Sequence, residues 1–179
     1  MVSNDKKIFI KIINIIVEKQ TMSVKEVQQV LFDNPKGDGR IPRKSHVIEA
    51  YKELKKSGEM KLSDSQEDLF LQAIRMKRTR TLSGVTPVTV LTKPFPCPGQ
   101  CIFCPNDYRM PKSYLRDEPG AQRGDVYKFD PYLQTYNRLV AYTDIGHPTA
   151  KIELIVLGGT WSSYPKEYQM WFIKRCLDA

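Results

Sequence analysis

Cys97, Cys101 and Cys104 crowd into one short segment, Cys97-Pro98-Gly99-Gln100-Cys101-Ile102-Phe103-Cys104. Cysteine thiolates are the ligands of iron–sulfur clusters, and a cubane commonly takes four of them. Three local thiolates leave one iron without a protein ligand. An open coordination position is what a catalytic metal site needs, by the logic that separates catalytic from structural zinc. Pro96, Pro98 and Gly99 let the segment wrap a bulky cluster instead of continuing as strand or helix. The alternatives are a structural zinc site and an unliganded loop. Structural zinc prefers four protein ligands. The two histidines, His46 and His147, are remote in sequence, and the fourth cysteine, Cys176, falls on an apolar helical stretch where it reads as a small core residue. A secreted disulfide framework spreads its cysteines along the chain, whereas a tight cluster in a reducing compartment points to metal.

Further residues with chemical potential flank this cluster. Gly158-Gly159-Thr160 ends an apolar β-branched run, where glycines permit close backbone approach of a ligand; a plain turn is the alternative. Arg75, Lys77, Arg78 and Arg80 form a basic patch, read either as phosphate contacts or as a solvated helix end. Lys93, Lys112, Tyr114 and Arg123 lie in a long polar stretch and are expected to line a substrate entrance; for Tyr114 ordinary packing is the alternative. Ile102 and Phe103 are expected to shield a cluster from water.

These residues need elements to hold them. Residues 1–80 read as a basic helical module. A helix over Asp5 to Gln20 carries Ile8, Ile12, Ile15 and Ile16 on one stripe. Ser23 and Glu26 match a capping box ahead of Val27, Val30 and Leu31. A third helix runs from Ser45 to Lys56, with Val47, Ile48, Tyr51 and Leu54 inward and Gly58 beyond its end. A fourth runs from Ser65 to Met76, with Leu69, Phe70, Ala73 and Ile74. Four short helices make a small bundle or winged-helix-like module.

From residue 81 to 179 the pattern becomes α/β. Val85 to Leu91 reads as a buried strand with Pro87 near its start. A Pro- and Gly-rich loop is expected from Thr92 to about Lys128. Asp130 then caps a helix that has Pro131 in its first turn and Leu133, Tyr136, Leu139, Val140 and Tyr142 on its buried side. Lys151 to Leu157 is a second strand, and Pro165 to Leu177 a helix with Tyr168, Trp171, Phe172 and Cys176 as core. Strand, helix, strand, helix implies parallel pairing through a right-handed crossover. The cysteines follow the first strand directly, at the carboxyl end where barrel sites are built. A barrel needs more such units, and Ala179 closes a helix that should lead into another strand, so a truncated chain is expected.

The net charge is +8. Residues 1–84 hold 17 Lys/Arg against 11 Asp/Glu, and residues 85–179 hold 11 against 9. The excess lies in the helical half, which suggests a polyanionic partner, most often nucleic acid; a solvated basic face is the alternative. Mean hydropathy is −0.43, no apolar run spans a bilayer, and no signal peptide is read, so the expected location is cytoplasmic and no membrane partner is expected.

At its cysteine spacing the chain resembles the radical S-adenosylmethionine superfamily, and the surrounding segments narrow the match. Arg80-Thr81-Leu82-Ser83-Gly84-Val85, Thr92-Lys93-Pro94, Cys104-Pro105-Asn106, Pro111-Lys112-Ser113-Tyr114, Glu118-Pro119, Phe129-Asp130-Pro131-Tyr132, Ile145-Gly146-His147-Pro148, Glu153-Leu154-Ile155 and Gly158-Gly159-Thr160 look like the catalytic subunit of Elongator and its archaeal and bacterial single-chain relatives. The likeness is close from about Lys77 to Ala179 and looser over Ile41 to Met76.

The resemblance implies an amino-terminal helical tRNA-binding module over residues 1–80, followed over 81–179 by the first βα units of a radical S-adenosylmethionine partial barrel. It implies a 4Fe–4S cluster on Cys97, Cys101 and Cys104, whose open iron binds the amino and carboxylate groups of S-adenosylmethionine and whose electron cleaves it to a 5′-deoxyadenosyl radical. In the family that radical takes a hydrogen from the methyl of acetyl-coenzyme A, and the carbon radical adds to carbon 5 of the wobble uridine of tRNA, leaving a carboxymethyl group after hydrolysis. Gly158, Gly159 and Thr160 resemble the Gly-Gly-Glu segment that meets the methionyl amine, with Thr160 where the acid usually stands, and Lys93 is placed with this cofactor side. Arg75, Lys77, Arg78, Arg80, Lys112 and Arg123 are the expected RNA contacts. Acetyl-coenzyme A is the family's co-substrate, held in an acetyltransferase-like domain to which nothing in this chain corresponds. A homodimer or an Elongator-like assembly is the expected association. The competing functional reading is a zinc-stabilised RNA-binding module without catalysis.

Overall fold

The computed structural model describes residues 3–105 and 107–179; Asn106, part of the motif after the third cysteine, lies outside the described residues. Two compact units emerge, Met1–Leu82 with Tyr142–Pro148, and Ser83–Ala141 with Thr149–Ala179.

The first unit is helical: α1 (Ser3–Glu18), α2 (Val24–Phe32), α3 (Lys44–Lys56) and α4 (Asp64–Ile74). The expected capping box forms, with the Glu26 N–H donating to Ser23 Oγ and the Ser23 N–H to the Glu26 carboxylate. A second box, Ser63 with Gln66, starts α4 one residue before the expected helix start. The core takes Phe9, Ile12, Ile13 and Ile16 from α1, with Val27 and Leu31, then Val47, Ile48, Tyr51 and Leu54, then Phe70 and Ile74. The α1 stripe is therefore turned from the expected one: Ile8 and Ile15 are only partly buried, because Phe9 and Ile13 take the central positions. Gly58 ends α3 at φ +76, a left-handed stop that glycine adopts without strain.

Tyr142–Pro148 packs with this unit through specific polar bonds. Arg75 Nε donates to the Gly146 carbonyl at 2.8 Å, and the Met76 N–H donates to the Ile145 carbonyl. His147 is buried between Thr81 Oγ1, 2.8 Å from Nδ1, and the Met76 carbonyl, 2.7 Å from Nε2. A carbonyl only accepts, so Nε2 carries a proton and donates to Met76.

The second unit is α/β. β1 (Thr86–Leu91) pairs parallel with β2 (Ile152–Leu157), with Thr86 opposite Ile152 and Leu91 opposite Leu157. Parallel pairing matches the expectation from the strand–helix–strand order. The loop expected to be structureless from Thr92 to Lys128 contains α5 (Pro119–Val126), opened by Pro119 at its first turn and laid on the end of β1 through Ala121 and Gly124. Leu91, Met110 and Ala121 form its small core, with Tyr114, Phe129 and Leu157 against it, so Tyr114 is partly buried packing.

α6 (Pro131–Asp144) starts as expected, with the Leu133 N–H donating to Asp130 Oδ1 at 2.8 Å. Its buried face is different. Tyr142 is buried as expected, but Leu133, Tyr136 and Val140 are exposed, and Gln134 and Thr135 are buried in their place. The reason is polar: Gln134 satisfies backbone groups of β1 that an apolar side chain would leave orphaned. α7 (Lys166–Leu177) buries Phe172 and Cys176, while Trp171 is exposed and Tyr168 half-buried; buried Tyr164, just before the helix, takes part of the expected core role. No helix among the described residues is long and apolar enough to cross a membrane.

Candidate functional site

The three cysteines open from the carboxyl end of β1 and line one pocket of about 560 Å³ with Gly99, Gln100, Lys112, Ser113, Gly158, Gly159 and Thr160. All three are free thiols. Cys97 and Cys101 point to the same side of Gly99, since a Cβ there would meet both sulfurs at 3.6 and 3.7 Å. The Cys104 N–H donates to the Cys101 carbonyl at 3.1 Å, which keeps the last two cysteines on one turn.

Two hydroxyls address the sulfurs. Thr160 Oγ1 stands 3.3 Å from Cys97 Sγ, and Ser113 Oγ 3.8 Å from Cys104 Sγ. The Cys97 thiol is held below its ordinary range, chiefly by the Thr160 hydroxyl, then by the Gly99 and Thr160 backbone, with Lys112 adding positive charge. The turn residues expected to bind cofactor are thus brought against the cysteines.

Each glycine of that turn has a packing reason. A Cβ at Gly158 would lie 2.1 Å from Thr92 Oγ1, which is itself 2.7 Å from Tyr164 Oη. A Cβ at Gly159 would meet the Lys112 Cβ at 3.3 Å. The double glycine therefore lets the end of β2 come down onto the end of β1 and onto the Lys112 segment.

Lys93 does not line the cysteine pocket. Its Nζ sits 4.9 Å from the Tyr168 ring centroid and 5.9 Å from that of Phe95, and its N–H donates to Tyr168 Oη at 3.1 Å. Burial pushes the Tyr168 phenol up to about 12, so it stays a neutral brace for the chain leaving β1. Arg123 is also elsewhere: it donates to the Pro119 carbonyl and lines a smaller pocket with Thr89, Gln134 and Arg138. Ile102 and Phe103, expected to cover the cysteines, are instead 90% and 92% exposed.

The basic patch divides into bonded and exposed cations. Arg75 is bonded to Gly146, and Arg78 Nη2 donates to the Ala73 carbonyl at 2.5 Å, so both guanidiniums brace the end of α4. Lys77 and Arg80 are exposed on the 3₁₀ turn that begins after Lys77, a residue in the left-handed region at φ 53. Lys44 stands beside this patch, its amine pushed down by burial and then by neighbouring Arg78. Adjacent cations of this kind are invisible along the chain because more than thirty positions separate them.

Three free cysteines in one pocket are donors of the kind an iron–sulfur cluster takes. Structural zinc draws four ligands in to about 2.0–2.3 Å of one ion. Among the described residues no group of three His, Cys, Asp or Glu is arranged to hold a single ion. A cubane presents separate irons to separate thiolates, and Cys97, Cys101 and Cys104 are three thiols lining one pocket.

No family model matches the chain. Over 123 residues it is 47% identical to the tRNA uridine(34) acetyltransferase of Methanocaldococcus infernus, covering 65% of this chain and 23% of that protein. It is 50% identical over 103 residues to the tRNA uridine(34) acetyltransferase of Dehalococcoides mccartyi, covering 58% and 22%, and 37% identical over 117 residues to Elongator complex protein 3 of Bos taurus, covering 59% and 21%. The chain thus matches under a quarter of the length of these relatives. The resemblance read from the motifs holds over more than half of the chain.

Proposed function

We propose that this chain carries the cluster-binding part of a radical S-adenosylmethionine enzyme that modifies the wobble uridine of tRNA, placing a carboxymethyl group on carbon 5 with acetyl-coenzyme A as co-substrate. The observation that carries the reading is the convergence of Cys97, Cys101 and Cys104 with Gly158–Thr160 in one pocket at the carboxyl ends of two parallel strands. The proteins similar to it are named for tRNA uridine(34) acetyltransfer and for Elongator, which favours tRNA as the substrate class. β1 and β2 are read as the first strands of a partial barrel.

Cys97, Cys101 and Cys104 would hold a 4Fe–4S cluster, which when bound supplies the electron for reductive cleavage of S-adenosylmethionine. The chain's own residues do the positioning. Gly158 lets Thr92 and Tyr164 lock the two strand ends together, so the cysteine loop leaves a fixed platform. Gly159 and Thr160 present backbone and hydroxyl to the same pocket, and Lys112 brings a cation to its rim, suited to a carboxylate. Lys77 and Arg80 offer exposed charge for phosphates, a contact that adds affinity rather than sequence choice. A homodimer or an Elongator-like assembly is the proposed setting, in the cytoplasm.

Anaerobic reconstitution with iron and sulfide tests the reading. A brown protein with about four irons and four sulfides per chain, which cleaves S-adenosylmethionine under reductant, supports it. Stoichiometric zinc without sulfide, or wild-type loading after Cys101→Ala, sinks it.

A further inference from the structure

Two hydroxyls sit where they act on sulfur, and both are held there by the backbone. The Thr160 carbonyl accepts from the Ser163 hydroxyl at 2.6 Å and from the Ser163 N–H at 2.9 Å, which folds Trp161–Ser163 into a 3₁₀ turn and fixes the residue before it. On its other side the chain is pinned at the last rung of the ladder, where the Thr92 N–H donates to the Leu157 carbonyl at 2.8 Å, and at Gly158, which has no room for a side chain. Thr160 Oγ1 is therefore anchored 3.3 Å from Cys97 Sγ.

Ser113 is held by strain. It occupies the third place of a turn closed by the Tyr114 N–H on the Pro111 carbonyl, with φ +78. A turn with positive φ at that place calls for glycine or asparagine, and a serine there costs of order 1 kcal/mol. The side chain that the strain retains is the one whose oxygen lies 3.8 Å from Cys104 Sγ.

We infer that the Thr160 and Ser113 hydroxyls donate hydrogen bonds to the Cys97 and Cys104 sulfurs and so set the reduction potential of the cluster those sulfurs hold. The inference rests on the cluster reading above and assigns Thr160 a task other than meeting the methionyl amine. The physics fixes the sign. Reduction adds an electron to a cluster that thiolates already make negative. A hydroxyl donor to sulfur stabilises the more negative state most, so each donor raises the potential and eases the one-electron step. Thr160, with the shorter contact, has the larger effect.

The test is an EPR-monitored redox titration of the reconstituted protein, run without S-adenosylmethionine so that no ligand contact of Thr160 enters. Wild type is compared with Thr160→Val, Thr160→Ser and Ser113→Gly at equal iron and sulfide content. Thr160→Val is expected to make reduction harder by about tenfold, a negative shift of about 59 mV for one electron. Thr160→Ser should keep the wild-type midpoint, and Ser113→Gly should shift it less but in the same direction, while raising resistance to urea because the strained φ is relieved. A pulsed-EPR coupling to an exchangeable deuteron should be present in wild type and lost in Thr160→Val. A Thr160→Val midpoint equal to wild type at full loading overturns the inference and leaves the cluster reading standing. Should Thr160→Val fail to load, an unshifted midpoint in Ser113→Gly overturns the shared role of the pair. A wild-type protein that binds no cluster overturns both.

Discussion

The Gln134 side-chain amide makes both hydrogen bonds that a neighbouring strand would make to Leu91: its Oε1 accepts from the Leu91 N–H at 3.0 Å and its Nε2 donates to the Leu91 carbonyl at 2.9 Å. β1 alternates its backbone direction. Thr86 and Thr92 donate toward β2, so Leu91 faces the other edge. An unpaired edge position is a site for unwanted pairing, and one buried glutamine occupies that of Leu91. Gln134→Leu leaves a buried N–H and a buried C=O without partners and is expected to cost about 1–3 kcal/mol in urea unfolding. An unchanged unfolding midpoint would show that the amide contributes nothing.

Gly158 and Thr92 form a second coupled pair. With only 2.1 Å between a built Cβ and Thr92 Oγ1, Gly158→Ala is expected to destabilise by about 1–3 kcal/mol. Removing the obstructing hydroxyl should recover part of that loss, so the Gly158→Ala, Thr92→Ala double variant should be more stable than the two single losses add up to. Strict additivity in a denaturation cycle would refute the steric account.

His46 gives the stability a pH dependence with a definite sign. Burial first, then Lys36 and Arg43, depress its pKa below the ordinary value of 6.5. The unfolded chain thus takes up the proton before the folded one does. Stability from this group is complete above pH 6.5 and falls as pH drops from there toward the depressed folded value. His46→Gln should flatten the slope of unfolding free energy against pH in that window; equal slopes in wild type and variant would remove His46 as the cause.

Arg80 is exposed and braces no helix end, unlike Arg75 and Arg78. If it meets a phosphate, Arg80→Ala should weaken tRNA binding evenly across sequences and reduce the slope of log affinity against log salt by about 1. Thermal unfolding should be unchanged. Binding by the variant with an unaltered salt slope would exclude the contact.

The legible parts of this molecule were the local ones. The Ser23–Glu26 box and the Asp130 cap each join residues three positions apart, so the sequence carries donor and acceptor together. The Ser63–Gln66 box carried the same signal, although the sequence reading started that helix at Ser65. The β-branched run announced β1, and the cysteines that follow it were placed beyond its carboxyl end. The buried face of α6 was misread because apolar periodicity says nothing of a glutamine that completes a strand edge.

By itself the sequence determined the helical first half, the strand–helix–strand order that pairs the strands in parallel, the grouping of the three cysteines and most helix starts, since each depends on residue types within a few positions of one another. Only the tertiary structure decided that Gly158 exists to admit Thr92, that Ser113 bears a strained turn, and that Thr160 turns its hydroxyl to Cys97 across 63 positions. Such contacts form only when distant segments close on each other, and no local pattern records which side chains will then meet.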